Sequence, residues 1–307
     1  MDLFDLVAEK MGFDDNLRVL TSLDSSKRFS LNALSQAFII HSTLKKINFN
    51  NLLANKYWKE EWVKKAKIKI KKKSLNEWFY GRSSILFKAI LALESFCSKE
   101  DYSLIKENCN YFCTKTSSSA KFPRTISPDL AWLVAAILCD GHLRKNGDSI
   151  AFEVGDLALA NVFSSKINIV FESKCTKIRK INRIGRNTTY IFDLSNKPVC
   201  YFFNKIFKIP FGKKCAIIGV PKLIKNSTLK IKKAFLKGVF DTDGGKRGRG
   251  LGLTSLSEKF VLEVSDLLKE FGIKPCFDTW INKKYQKKCF GSRFKIDAHS
   301  IFLLRQN

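Results

Sequence analysis

Only three histidines, two methionines and six prolines occur among the 307 residues, and 28 acidic residues face 55 lysines and arginines. The histidines, His41, His142 and His299, form no H-x-H or H-E-x-x-H pair, which argues against a histidine-centred metal or nucleophile site. No apolar run reaches the ~18 residues expected of a membrane span. The N-terminal MDLFDLVAEK has neither the basic start nor the apolar stretch of a signal peptide. These absences predict a cytoplasmic protein with access to the genome and no membrane partner. Nine cysteines, an odd number scattered through apolar segments, argue against a disulfide framework. The closest pair, Cys109 and Cys113, lacks a second Cys/His pair at zinc-finger spacing. What the chain does have is a net charge of +27, which calls for a polyanionic partner, with a phosphate backbone the first candidate. Apolar residues make up 45% of the chain and include 26 Phe, enough for one large or two moderate cores, so disorder is a poor description.

Residues 1–96 read as a smaller all-α domain, with apolar residues at helical spacing through Leu31–Ile40, Tyr57–Val63 and Ile85–Phe96. Lys64–Lys73 holds seven lysines, and Ser74-Leu75-Asn76-Glu77 is a capping box that starts a helix which Gly81 can end. The pattern resembles a helix-turn-helix, with Lys71, Lys72, Lys73, Asn76 and Arg82 as candidate DNA contacts; a helical bundle with a solvated lysine face is the alternative. KTSSSAKFPR (Lys115–Arg124) has linker composition, which places a linker at 97–126.

The rest of the chain contains an internal repeat. Asp129-LAWLVAAILCDGHL and Lys232-KAFLKGVFDTDGG are both apolar helical runs that end in Asp-Gly. Aligning Asp140 with Asp243 brings Ala131, Ala135 and Cys139 into register with Ala234, Gly238 and Thr242, a small-residue stripe at i, i+4, i+8 on each helix. Such stripes let two helix backbones approach closely. Strand-like and helix-like segments then follow in the same order in both copies, giving an α+β fold with two α-β-β-α-β-β-α halves. The expected divisions are 127–208, a connector at 209–229, and 230–307. If the striped helices pack at a pseudo-twofold axis, the strands form two saddle-like antiparallel sheets beside them, and Asp140 and Asp243 meet at the helix ends. Two adjacent carboxylates favour a cation between them. With backbone carbonyls at Gly141 and Gly244 they form a hard oxygen environment suited to Mg²⁺, with Mn²⁺ as a substitute, and hence to phosphodiester hydrolysis.

The motifs Leu133-Val-Ala-Ala-Ile-Leu-Cys-Asp-Gly141 and Leu236-Lys-Gly-Val-Phe-Asp-Thr-Asp-Gly244 resemble those of a single-chain, two-motif LAGLIDADG homing endonuclease, a likeness that runs from Ser127 to the C-terminus. The resemblance implies that Asp140 and Asp243 bind the catalytic metals and that the sheets read the major groove of a long DNA target. It implies a monomer that makes a staggered double-strand break at one partly palindromic site. It also makes Lys214, in Gly212-Lys-Lys-Cys215, and Lys246 candidate catalytic lysines, with ordinary phosphate contact as the alternative. Ala135 replaces the motif's usual glycine, and Glu153 is either an extra acidic ligand or a DNA-facing position. Candidate DNA contacts in the first half are Arg144, Lys145, Arg179, Arg183 and Arg186; in the second they are Arg247, Arg249, Lys283 and Arg293. The chain opens on Met rather than a nucleophilic Cys or Ser and lacks a terminal His-Asn junction, which points to a free-standing or intron-encoded enzyme rather than an intein domain. The alternative function is a nucleic-acid binder on this scaffold without nuclease activity, a transcriptional regulator or an RNA-splicing maturase bound to intron RNA.

Overall fold

The computed structural model describes residues 2–11, 17–21, 58–68, 85–95, 99–114, 118–173, 178–185, 187–247, 250–283 and 286–303. The chain divides into two units, Met1–Arg124 and Thr125–Asn307. The helix expected over Leu31–Ile40, the one expected from Leu75, and the candidate contacts Lys71, Lys72, Lys73, Asn76 and Arg82 lie outside the described residues, as do Arg186 and Arg249.

The first unit is not all-α. Its described helices are α1 (Leu3–Met11), α2 (Trp58–Lys65), α3 (Phe87–Ala92) and α4 (Lys99–Asn108). Strands β1 (Arg18–Thr21), β2 (Ile85–Leu86), β3 (Cys109–Cys113) and β4 (Ala120–Lys121) form an antiparallel sheet of order β2-β1-β3-β4. The expected linker at 97–126 therefore holds a helix and two strands. Its last residues are core rather than spacer: Phe122 is buried and stacks on Phe112 with ring centroids 4.3 Å apart, and Phe112 meets Phe87 edge-on at 5.0 Å. Linker composition loses to aromatic burial here, because the packed rings of Phe87, Phe112 and Phe122 together offset part of the chain entropy of ordering this segment. Helix α1 joins this core through Leu3, Phe4, Val7 and Met11, one face of a helix. The Trp62 indole of α2 donates to the Ala89 carbonyl at 2.7 Å.

The second unit repeats one pattern twice. The first copy runs α5 (Pro128–Leu138), β5 (Gly141–Leu143), β6 (Ile150–Val154), α6 (Leu157–Phe171), β7 (Arg179–Ile181), β8 (Thr189–Leu194) and α7 (Lys197–Phe207). A short α8 (Lys222–Lys225) lies in the connector. The second copy runs α9 (Leu229–Thr242), β9 (Gly244–Arg247), β10 (Gly250–Ser255), α10 (Glu258–Lys269), β11 (Cys276–Asn282) and β12 (Lys287–Lys295), then a 3₁₀ turn at Ile301–Leu303. Both sheets are antiparallel and share one strand order, β5-β6-β8-β7 and β9-β10-β12-β11. The architecture is α+β, as the repeat predicts. The last long strand spans Lys287–Lys295, and beyond it Asp297 lies in a local turn, accepting from the His299 and Ser300 amides at 3.0 Å each.

Local chemistry fixes the helix starts. Ser127 accepts from the Leu130 amide at 3.1 Å with Pro128 at the first helical position of α5. Asp156 and Ser257 cap α6 and α10 at equivalent places in the two copies. Between the sheet and α6, Phe163 stacks on Phe152 at 4.2 Å and meets Phe192 at 5.1 Å, which fastens the first sheet to its helix through one face only. The other face is left for polar residues.

Candidate metal centre and nucleic-acid surface

The two striped helices pack along the predicted faces. A Cβ placed on Gly238 of α9 would stand 2.7 Å from the Trp132 carbonyl oxygen and 2.8 Å from the Ala135 Cβ, so the backbones are as close as a glycine allows. Ala131 and Ala135 are fully buried. Toward the C-termini the Cys139 thiol is in hydrogen-bond contact with Thr242 and with the Asp243 carboxylate. Ala135 with Gly238 and Cys139 with Thr242 are equivalent positions of the repeat that touch each other, the signature of a local twofold axis. At the opposite end Ala234 borders a cavity of about 360 Å³ shared with Trp132, Leu159 and Val162.

Glycines follow both aspartates for a common reason. A Cβ on Gly141 would lie 2.8 Å from Ile137 Cα, and one on Gly244 would lie 2.4 Å from the Phe240 carbonyl oxygen. Each chain thus turns back against the last turn of its own helix before entering β5 or β9. The residue preceding each glycine is thereby held at the helix end, and those residues are Asp140 and Asp243. Both carboxylates act electrostatically on Lys214 and on Cys139, so they gather around the same two side chains. Burial pushes the Asp243 carboxyl above its ordinary range, an effect only partly opposed by the Cys139 hydrogen bond and the Lys214 charge. Burial, then the Asp243 charge, pushes the Cys139 thiol far up, so it stays a neutral donor to that carboxylate.

Lys214 reaches this cluster from the connector. Gly212, at φ +74°, donates to the Leu143 carbonyl at 2.8 Å and anchors the segment against β5. Lys214 is then only 5% exposed, and its ammonium donates to the carbonyls of Leu138 and Cys139, the latter at 2.8 Å. It therefore caps the C-terminus of α5, where the helix dipole favours a cation. Burial lowers its pKa, while Cys139, Cys215, Asp243 and Asp140 oppose that shift. Lys246 is exposed on β9, on the strand face opposite Arg247.

Two residues near the site carried no signal in the sequence reading. Asp241, 7% exposed, accepts from the Trp132 indole across the helix interface at 2.8 Å and pairs with Lys237 at 3.3 Å. The first copy has Leu138 at the equivalent place. Trp132→Phe is expected to cost about 1–3 kcal/mol in urea unfolding, because it deprives a buried carboxylate of a donor. Combining it with Asp241→Leu should recover part of that loss in a double-mutant cycle. His142 follows Gly141 on the exposed face of β5, and burial, then Arg144 and Lys214, lower its pKa.

Among the described residues no group of three or more His, Cys, Asp or Glu is placed to share a metal ion. The site offers two carboxylates. That donor set fits Mg²⁺, which keeps several waters and takes one or two carboxylates together with substrate phosphate oxygens. Gly141 and Gly244 stand in the strand ladders opposite Phe152 and Leu253.

The outward face of the first sheet carries the expected arginines. Arg144 and Arg179 both donate to Asp193, Arg144 at 2.8 Å. Arg183 forks onto Glu153 at 2.6 and 3.3 Å, and Thr189 donates to the same carboxylate at 2.9 Å. Glu153 is thus a sheet-face residue, held below the usual carboxylate range chiefly by the Arg183 hydrogen bond. On the second sheet Arg247 donates to Thr254 at 2.6 Å and Arg293 pairs with Asp278 at 2.9 Å. Lys145 and Lys283 are exposed in the turns after β5 and β11.

The family model for the LAGLIDADG-like domain matches residues 230–296, which span α9 through β12. The likeness to that family covers the second copy of the repeat. The second aspartate-glycine motif lies inside that match, and the first motif stands at the equivalent place in the preceding copy. Among curated proteins, the replication factor C small subunit of Methanocaldococcus jannaschii is 29% identical over 159 residues, 52% of this chain and 8% of that protein. The isomerizing glutamine–fructose-6-phosphate aminotransferase of the same organism is 24% identical over 174 residues, 55% of this chain and 15% of that protein. The chain therefore matches only a small part of each relative. Among solved structures, I-DmoI in complex with DNA and Mn is 17% identical with a TM-score of 0.44, over 60% of this chain and 99% of that one. The N-terminal LAGLIDADG domain of DUF199/WhiA is 12% identical with a TM-score of 0.41, over 60% and 84%.

Proposed function

We propose that this chain is a divalent-metal-dependent DNA endonuclease of the LAGLIDADG type, which binds one long duplex site on the outward faces of its two sheets and cuts both strands beside Asp140 and Asp243. The observation that carries this reading is the gathering of both motif aspartates around Cys139 and Lys214 at the touching ends of α5 and α9. A buried carboxylate with a raised pKa, at a centre where both motif carboxylates act on the same lysine and cysteine, is a site whose charge is best matched by a cation. Magnesium, with manganese as a substitute, would supply activation of a water and stabilisation of the leaving oxygen.

The chain's own residues do the rest. Asp140 and Asp243 would hold the cation. The Cys139 thiol orients the Asp243 carboxylate by donating to it. Lys214 fixes the last carbonyls of α5 and so sets where Asp140 stands, which makes it a positioning residue here. The net charge of +27 and the outward arginines supply the phosphate and base contacts. The test is a cleavage selection from a randomised duplex library with Mg²⁺. The expected result is one enriched site cut in both strands; enrichment by binding without any cut in Mg²⁺ or Mn²⁺ would instead identify a binder on this scaffold.

A further inference from the structure

The two sheets can be superposed residue by residue through their registers. The inward residue Phe152 matches Leu253, since each lies four residues before a helix cap, Asp156 and Ser257. On the outward face Ala151 is therefore equivalent to Gly252, and Glu153 to Thr254. Ala151 pairs with Asp193 and Glu153 with Ile191, whereas Gly252 pairs with Arg293 and Thr254 with Gly291. Asp193 is thus equivalent to Arg293, and Ile191 to Gly291. Ile191 pairs in turn with Arg179, and Gly291 with Asp278, so Arg179 is equivalent to Asp278. Each sheet has an ion pair at this place, Arg179 with Asp193 and Arg293 with Asp278. The two pairs are the same contact with the charges exchanged.

Both pairs stand on the outward face. Their inward neighbours Phe192, Leu194, Ser292 and Phe294 are buried, while the side chains of Arg179 and Arg293 are 59% and 62% exposed. In the major groove an arginine reads the O6 and N7 acceptors of guanine, and a carboxylate accepts from the N4 amino group of cytosine. An Arg–Asp pair on one sheet face is therefore matched to a G·C pair in one orientation, and the exchanged pair to the opposite orientation. Each carboxylate also holds its arginine in place before DNA arrives. Asp193 also accepts from Arg144 and is the more buried of the two carboxylates.

We infer that Arg179/Asp193 and Asp278/Arg293 are specificity-determining residues that read one G·C base pair in each half-site. Their reversed polarity breaks the palindrome at that position. This rests on the proposed DNA-reading function of the sheets and names which residues read what. Under a twofold axis, identical pairs would select symmetry-related base pairs; exchanged pairs select a base pair inverted from the palindromic one.

The test is a binding selection of the full chain from a randomised duplex pool in Ca²⁺, so that its outcome does not depend on cleavage. The wild type is expected to select G·C at two positions equidistant from the centre, with the second inverted relative to a palindrome. The double variant Asp278→Arg/Arg293→Asp is expected to invert the preferred pair at one of those positions by about tenfold and to leave the other unchanged. Asp278→Asn, which keeps the side-chain shape, is expected to relax the preference at that position alone. A wild-type site that is palindromic at these positions would overturn the inference, as would a double variant or an Asp278→Asn variant that binds with the wild-type preference there. Wild-type binding with no sequence preference would instead sink the DNA-reading function itself.

Discussion

Asp140→Asn and Asp243→Asn are each expected to lower Mg²⁺-dependent cleavage of the selected site by about a hundredfold or more while leaving binding of that site nearly unchanged. The amide keeps the side chain's size and hydrogen-bonding reach but removes the charge that holds a hard cation. The two variants should differ in stability. Asp243 has a raised folded-state pKa because burial penalises its ionised form. A group shifted in that direction favours folding below its unfolded pKa, and the contribution is lost as pH rises through the folded value. At neutral pH the metal-free protein therefore carries a cost at Asp243 that asparagine removes, and Asp243→Asn should unfold at higher urea than wild type. Activity falls while stability rises, the pattern expected where a site is built around charge rather than around packing. Equal cleavage by wild type and both variants would remove the aspartates from the mechanism.

The second large effect concerns Gly238. In an ordinary exposed helix interior, Gly→Ala gains about 1 kcal/mol of helix propensity. At Gly238 the new Cβ would sit 2.7 Å from the Trp132 carbonyl oxygen and 2.8 Å from the Ala135 Cβ. The first of these is backbone, so α5 and α9 would have to separate rather than a side chain rotate. Overpacking of this kind costs about 1–3 kcal/mol, and a backbone contact this short belongs to the upper part of that range, above the propensity gain. Gly238→Ala is expected to lose up to about 2 kcal/mol in urea unfolding and Gly238→Val more. Cleavage should fall along with stability, because the Cys139–Asp243 contact belongs to the same interface. Gly245→Ala is the control for packing: no atom of the chain lies within 4 Å of its added Cβ, and stability should not fall.

The second unit is legible in the sequence because its signals are long or repeated. The two Asp-Gly motifs, the small-residue stripes and the helices α6 and α10 each span enough residues for periodicity to register. The first unit is read less well for a physical reason. Strands of two to five residues, such as β2, β3 and β4, are too short to show alternation, and the Ser-rich stretch before Ala120 hides two buried positions, Ala120 and Phe122. The small-residue face at Ala135 and Gly238 predicts where the helices touch. It does not predict that Lys214 spends its ammonium on the carbonyls of Leu138 and Cys139, because that contact joins residues distant in the chain. The Trp132–Asp241 bond is hidden in the same way, and the repeat gives Asp241 no polar counterpart, since Leu138 stands at its place in the first copy. The exchanged ion pairs depend on strand register, and a shift of one residue would move Asp193 to the inward face.

The central claim is that Asp140 and Asp243 share a divalent cation at the ends of two touching helices. The most direct measurement is Mn²⁺ binding to the protein–DNA complex, followed by electron paramagnetic resonance, in wild type, each Asp→Asn variant and the double variant. The prediction is a saturable bound signal in wild type, at least about tenfold weaker binding in each single variant, and none in the double variant. Unchanged Mn²⁺ affinity in the double variant would contradict it.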